Sequence, residues 1–144
     1  MARVLLVDDE VAFVDTLAKL LRRRGVDVTV AYDGDAALAE VARSEFDVVV
    51  LDQRMPGRDG IQTLEEIRRR DAGMPVLLLS GHADLPRVTE ALRLGACDYL
   101  LKPCAAESLL AAIEEACERR AIHRELAAPG TGGRGAGPGG STPP

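Results

Sequence analysis

The 144-residue chain predicts an α/β domain built on a doubly wound, five-stranded parallel sheet. Three observations predict it. Short apolar runs and helical patterns alternate five times without interruption, the signature of repeated βα units with right-handed crossovers. The runs Val4 to Val7, Val48 to Leu51 and Val76 to Leu79 are apolar throughout, as strands buried on both faces are. Each of these runs then stops at a polar residue, Asp8, Asp52 or Ser80. Polar groups gathered at the carboxyl ends of parallel strands mark the edge where such sheets bind ligands.

Val4 to Val7 forms the first strand and delivers Asp8, Asp9 and Glu10 at its end. A helix follows, with Val11, Val14, Leu17, Ala18 and Leu21 spaced by three and four, Asp9 as its expected N-cap and Gly25 as its stop. Val26, Val28 and Val30 alternate, which fits a strand nearer an edge. Tyr32-Asp33-Gly34 is a turn, and Asp35 is expected to cap a short alanine-rich helix reaching about Arg43. Phe46 to Leu51 is the central strand. It stops at Asp52, and Met55-Pro56-Gly57 turns the chain. Asp59-Gly60 opens a third helix with Ile61, Leu64 and Ile67 on one face. Met74-Pro75 introduces the strand Val76 to Leu79, ending in Ser80-Gly81. A fourth helix runs from Asp84 or Pro86 to Leu94, closed by Gly95. Cys97 to Leu101 is the fifth strand, ending at Lys102-Pro103. The fifth helix covers about Ala106 to Leu126 and carries the stripe Leu109, Leu110, Ile113, Ala116 and Cys117. Beyond Ala128 the chain is dominated by Pro, Gly, Ser and Thr, which bury too little surface to offset ordering. Residues 1–126 are therefore expected to form one domain, and 127–144 a flexible tail or the start of a linker.

A net charge of −5 argues against nucleic acid or an anionic membrane as the main partner. The triplets Arg22 to Arg24 and Arg68 to Arg70 fall in the last turns of predicted helices, where cations complement the helix dipole. Cys97, Cys104 and Cys117 have neither metal-ligand spacing nor an even count, so reduced, small-hydrophobe roles and a cytoplasmic setting are expected. No apolar run approaches the roughly 20 residues needed to span a bilayer.

Asp8, Asp9, Glu10, Asp52, Ser80 and Lys102 all follow strands of one sheet, so residues far apart in sequence are expected to meet in one pocket. Clustered carboxylates raise one another's pKa, and a hard divalent cation such as Mg²⁺ relieves this through oxygen ligands. Taken singly, Asp8 and Asp9 read more readily as helix caps, and Asp52 and Ser80 at least as readily as a turn former and an N-cap. Lys102 is less easily read that way: of 18 basic residues only Lys19 and Lys102 are Lys, and a compact ammonium beside a proline points to a specific need.

The set Val7-Asp8-Asp9, Asp52 with Met55-Pro56-Gly57 and Asp59-Gly60, Ser80-Gly81, and Asp98-Tyr99-Leu100-Leu101-Lys102-Pro103 resembles the receiver domain of two-component response regulators. The resemblance covers residues 3 to about 120, and Ser80 to Asp84 is similar to receivers of NtrC-type activators. It implies a flavodoxin- or CheY-like sheet of strand order 2-1-3-4-5. It also implies that Asp52 accepts a phosphoryl group from a histidine kinase and that Asp9 binds Mg²⁺ directly and Asp8 through water. Asp52 and the backbone carbonyl of Arg54 would complete the metal site. Lys102 and the Ser80 hydroxyl would hold the phosphoryl oxygens, Tyr99 would be a switch aromatic, and Lys102-Pro103 would be a cis peptide. Output would pass through the face of the fourth helix, fifth strand and fifth helix to a partner or a second copy. The protein would then not be an enzyme beyond acting on its own phosphate. Arg54 and His82 flank the phosphoryl position, and since Arg54 can only donate hydrogen bonds, slow self-dephosphorylation is expected. Two other readings compete: an aspartyl-phosphate phosphatase, disfavoured because no cap domain is visible and the second acid is out of register, and a receiver-like binding module that is never phosphorylated, disfavoured because every pocket residue is present.

Overall fold

The computed structural model describes residues 2–53, 59–81 and 85–127. Its elements alternate as β1 (Arg3–Val7), α1 (Val11–Arg23), β2 (Asp27–Ala31), α2 (Gly34–Arg43), β3 (Val48–Asp52), α3 (Gly60–Arg70), β4 (Val76–Ser80), α4 (Leu85–Arg93), β5 (Asp98–Leu101) and α5 (Ala106–Ala127). The five strands form one sheet in the order β2-β1-β3-β4-β5, and every pairing is parallel.

The period of two along each strand divides the core cleanly. Leu5, Val7, Val49, Leu51, Val76 and Leu78 pack with α2, α3 and α4 through Leu38, Ile61, Leu64, Ile67 and Ala91. Val4, Leu6, Val48, Val50, Leu77 and Leu79 pack on the other face with α1 and α5 through Val14, Leu17, Leu21, Leu109 and Ile113. Both faces of β1, β3 and β4 are buried, which is why those runs show no polar alternation.

The punctuation differs from expectation in two places. α1 opens at Val11 behind Glu10, with no side-chain cap. Asp9 does not cap it, and the nearby bond is instead from the Glu10 N–H to Asp8 Oδ1 at 2.9 Å. α2 is capped by Asp33, whose extended backbone lets Oδ1 accept from the Ala36 N–H at 2.7 Å. Asp35 falls instead in the first turn, where its charge suits the helix dipole. The other ends follow expectation. Gly25, at φ +89°, lets the Val26 and Gly25 N–H groups reach back to the Leu21 and Arg22 carbonyls and close α1. Asp59 and Gln62 form a reciprocal capping box on α3.

The Arg triplets are structural. Arg22 donates to the Val28 carbonyl and Arg68 to that of Met74. α5 is fastened below the sheet by Arg120, which grips Asp71 with two bonds of 3.1 and 2.6 Å, and by Arg124, 3.1 Å from Asp47. The three thiols are half-buried, and burial pushes each above its ordinary pKa, as befits packing groups. No helix among the described residues is long and apolar enough to cross a membrane. The expected tail beyond Ala127 lies outside the described residues.

Candidate functional site

The register of the sheet builds the site. β1 and β3 pair Val7 with Leu51, so the next residues, Asp8 and Asp52, come side by side on the α1/α5 face. Asp8 is fully buried and Asp52 is 4% exposed. The Gln53 N–H on the Leu79 carbonyl and the Gly60 N–H on the Gln53 carbonyl carry the ladder one residue further and seat the start of α3 against it. A Cβ at Gly60 would lie 2.6 Å from the Asp52 carbonyl oxygen and 2.8 Å from Gln53 Cα, so that approach requires glycine.

Lys102 enters from the other end of the sheet. Its N–H donates to the Ser80 carbonyl at 2.7 Å, and the Lys102–Pro103 peptide is cis. Its Nζ donates to Asp8 Oδ2 at 2.8 Å and to Glu10 Oε1 at 2.5 Å, and stands 3.6 Å from Asp52 Oδ1. The Phe13 ring covers the ammonium, its centroid 4.6 Å away.

Charge is in excess here. Burial first, and then the charge of Asp8, push the Asp52 carboxyl up from 3.8 to about 7, against the pull of Lys102. Burial draws the Lys102 ammonium down, but its bonds to Asp8 and Glu10 and the charge of Asp52 outweigh this and hold it above the ordinary lysine range. Carboxylate oxygens of Asp8, Glu10 and Asp52 lie within 4.8 Å of one another, a hard donor set that suits a divalent cation. The arrangement presents a buried carboxylate at an open edge, with a fixed cation beside it. Such a group can act as a nucleophile toward an electrophile whose own negative oxygens need neutralising.

Asp8, Asp52 and Lys102 thus meet as expected, and Ser80 is buried at the end of β4 on the same edge. Asp9 is exposed, and its carboxylate is not among the three that converge. Glu10 reaches in instead, bound by Lys102; the sequence grouped it with the other two acids but gave it no role. A run of three acids offers no internal sign of which one turns inward. Tyr99 projects from β5 and is 36% exposed. Arg54 and His82, and the turn Met55-Pro56-Gly57, lie outside the described residues. Gln53 was also passed over: it is buried, with Oε1 and Nε2 meeting no hydrogen-bond partner among the described residues.

Comparison with known proteins decides the family. A family model described as the response regulator receiver domain matches residues 4–114. The chain belongs to the response regulator receiver family. This receiver is 41% identical over 113 residues to the transcriptional regulatory protein ZraR of Salmonella typhimurium, covering 78% of this chain and 26% of ZraR. It is 40% identical to the transcriptional regulatory protein FixJ of Bradyrhizobium diazoefficiens, covering 78% of this chain and 55% of FixJ. The receiver therefore spans only a part of these curated relatives. Among solved structures, the receiver domain of NtrX from Brucella abortus superposes with a TM-score of 0.76 at 36% identity, covering 80% of this chain and 98% of that one. A response regulator receiver domain protein from Clostridium thermocellum gives 0.81 at 32% identity, covering 85% and 99%. The observed strand order matches the one the family resemblance implied.

Proposed function

We propose that this receiver is a phosphorylation-dependent switch in which Asp52 accepts a phosphoryl group from the phosphohistidine of a partner kinase or from a small acyl phosphate. The observation that carries the reading is the buried Asp52 carboxyl, pushed up to about 7 beside Asp8 with the Lys102 ammonium 3.6 Å away. In the transfer, an Asp52 oxygen forms a bond to phosphorus as the bond from phosphorus to the donor's nitrogen or oxygen breaks. The electron pair of that bond leaves with the donor, and the three phosphoryl oxygens cross unchanged. Lys102 supplies a fixed ammonium to those oxygens and the Ser80 hydroxyl a further donor. The chain's own contribution is positioning: β3 fixes the nucleophile, and the bond from the Lys102 N–H to the Ser80 carbonyl fixes the ammonium's base.

The acidic edge fits Mg²⁺, which would be held by Asp8 and Asp52 with the Arg54 carbonyl and with Asp9 turned in from its exposed position, Glu10 being engaged by Lys102, and which when bound neutralises charge on the acceptor and the incoming group. For output, the exposed apolar residues Leu92, Tyr99 and Leu101 on α4 and β5 support a protein-binding face shared with α5. A partner or a second copy would read it after Ser80 and Tyr99 move. Arg54 and His82 are proposed to slow hydrolysis of the phosphoryl group. No enzymatic turnover of an external substrate is proposed.

Incubation with acetyl phosphate and Mg²⁺ tests the reading. Wild-type protein should gain one base-labile phosphoryl group by mass, and Asp52→Asn should gain none. Equal labelling of the two would reject Asp52. Gel filtration with and without the phosphoryl group then reports the output face, where Tyr99→Ala should keep labelling and lose phosphorylation-dependent association.

A further inference from the structure

The Lys102 ammonium is committed before any phosphoryl group arrives. It has three N–H donors. Asp8 and Glu10 take two of them at 2.8 and 2.5 Å, while Asp52, at 3.6 Å, is within ion-pair range but beyond a hydrogen bond. The third N–H is left for a phosphoryl oxygen on Asp52, but closing on one draws the ammonium toward β3 and stretches a present bond. The two partners differ sharply in what they lose. The Asp8 side chain is wholly buried and lies beside Asp52 at the end of the neighbouring strand, so an ammonium that closes on Asp52 stays within its reach. The Glu10 side chain is 63% exposed, and water takes over from the ammonium there. Glu10 is therefore the ligand that lets go.

We propose that Glu10 is a positioning residue that parks the Lys102 ammonium away from the phosphoryl position in the resting protein and releases it on phosphorylation, so that it sets the rate of labelling. The proposal rests on the reading of Asp52 as phosphoacceptor. Phe13 makes the parking specific. Its ring lies against the ammonium, and Glu10, Phe13, Gly81, Lys102 and Pro103 together line an open pocket at this side of the site. The nitrogen therefore has a defined resting place, in ion-pair range of Asp52 but short of a hydrogen bond to it. Glu10 acts only in the resting state, because in the phosphorylated state the ammonium has already left it.

The test is Glu10→Gln, a change of charge at nearly constant shape on an exposed side chain, so folding is retained. Labelling by acetyl phosphate at saturating Mg²⁺ should become about two- to fivefold faster, the scale of one exposed ion pair. The Mg²⁺ concentration for half-maximal rate should not rise, and the half-life of the phosphorylated protein should be unchanged. This split between formation and decay is what a general structural role would not produce. An unchanged or slower labelling rate overturns the proposal, as does a raised Mg²⁺ requirement, which would make Glu10 a metal ligand instead. A shortened or lengthened half-life overturns it too, since Glu10 would then act after transfer. Asp52→Asn run in parallel separates the two levels. If it labels like wild type, the phosphoacceptor reading fails. If it stays unlabelled while Glu10→Gln matches wild type, only the role of Glu10 falls.

Discussion

Replacing Asp52 with Asn should stabilise the metal-free protein, and increasingly so as pH rises. Folding carries the Asp52 carboxyl from an ordinary value of 3.8 to about 7. Below about pH 4 it is protonated in both states and its favourable contribution is fully present. Between these values the native chain holds a proton that the unfolded chain has lost, so stability is lost as pH climbs through about 7. An interval of about three pH units, at about 1.4 kcal/mol each, sets a ceiling of about 4 kcal/mol. Part of that cost is spread over the charged neighbours that Asp52 meets in the folded site, so about 2–3 kcal/mol is expected at Asp52 itself. Asn keeps the shape and is neutral throughout. Urea unfolding of both proteins in EDTA, from pH 4.5 to 8, measures the effect. The stability advantage of Asp52→Asn should grow from about 0.6 kcal/mol to about 2–3 kcal/mol, the latter roughly 10 °C in melting temperature. An advantage that stays flat across this range would refute the claim that the site's excess charge is carried by Asp52.

Gly60→Ala should cost about 1–3 kcal/mol and slow labelling, because the new methyl meets the backbone of Asp52 and Gln53, which cannot yield as a side chain would; melting temperature and labelling rate check both effects. Arg120→Met should cost about 2 kcal/mol at pH 7, less than a fully buried pair because Asp71 is about a third exposed. The hydrogen bonds from Arg120 hold the Asp71 carboxyl below its ordinary value, so the deficit is present above about pH 4 and should shrink as pH falls through that depressed value, which urea titrations at pH 7 and pH 3 compare. Gln53→Met should raise stability by about 1 kcal/mol by replacing a buried amide that has no partner among the described residues with an apolar chain of similar length, read from the same titrations.

The strands and the place of Asp52 were legible because both follow from short-range pattern. A strand buried on two faces must be apolar at every position, so the residue where the run breaks announces the edge of the sheet. Lys102 was legible by its rarity in an arginine-rich chain. What was not legible depends on partners distant in sequence. Glu10 looked like one of three equivalent acids until Lys102 selected it. The grip of Arg120 on Asp71 joins residues 49 apart in sequence, with no periodicity to betray it. The α2 cap was misassigned between Asp33 and Asp35 because both are good caps, and the choice falls to the extended backbone of Asp33 after the turn at Tyr32. Gln53 gave no signal, since an amide in a loop next to an acid is expected to face water until the packing around it is known.

The bond between Lys102 and Asp8 spans 94 residues, and between its ends lie four crossovers of the parallel sheet. Contacts of such separation close late in folding, since each loop must pay its closure entropy before the next strand can dock. A nascent chain that has made β1 to β3 already contains both Asp8 and Asp52, yet it lacks the cation that tempers their repulsion. On the proposed reading, competence to take a phosphoryl group is thus a property of the completed topology alone, and labelling would double as a measure of how much of a sample has finished folding.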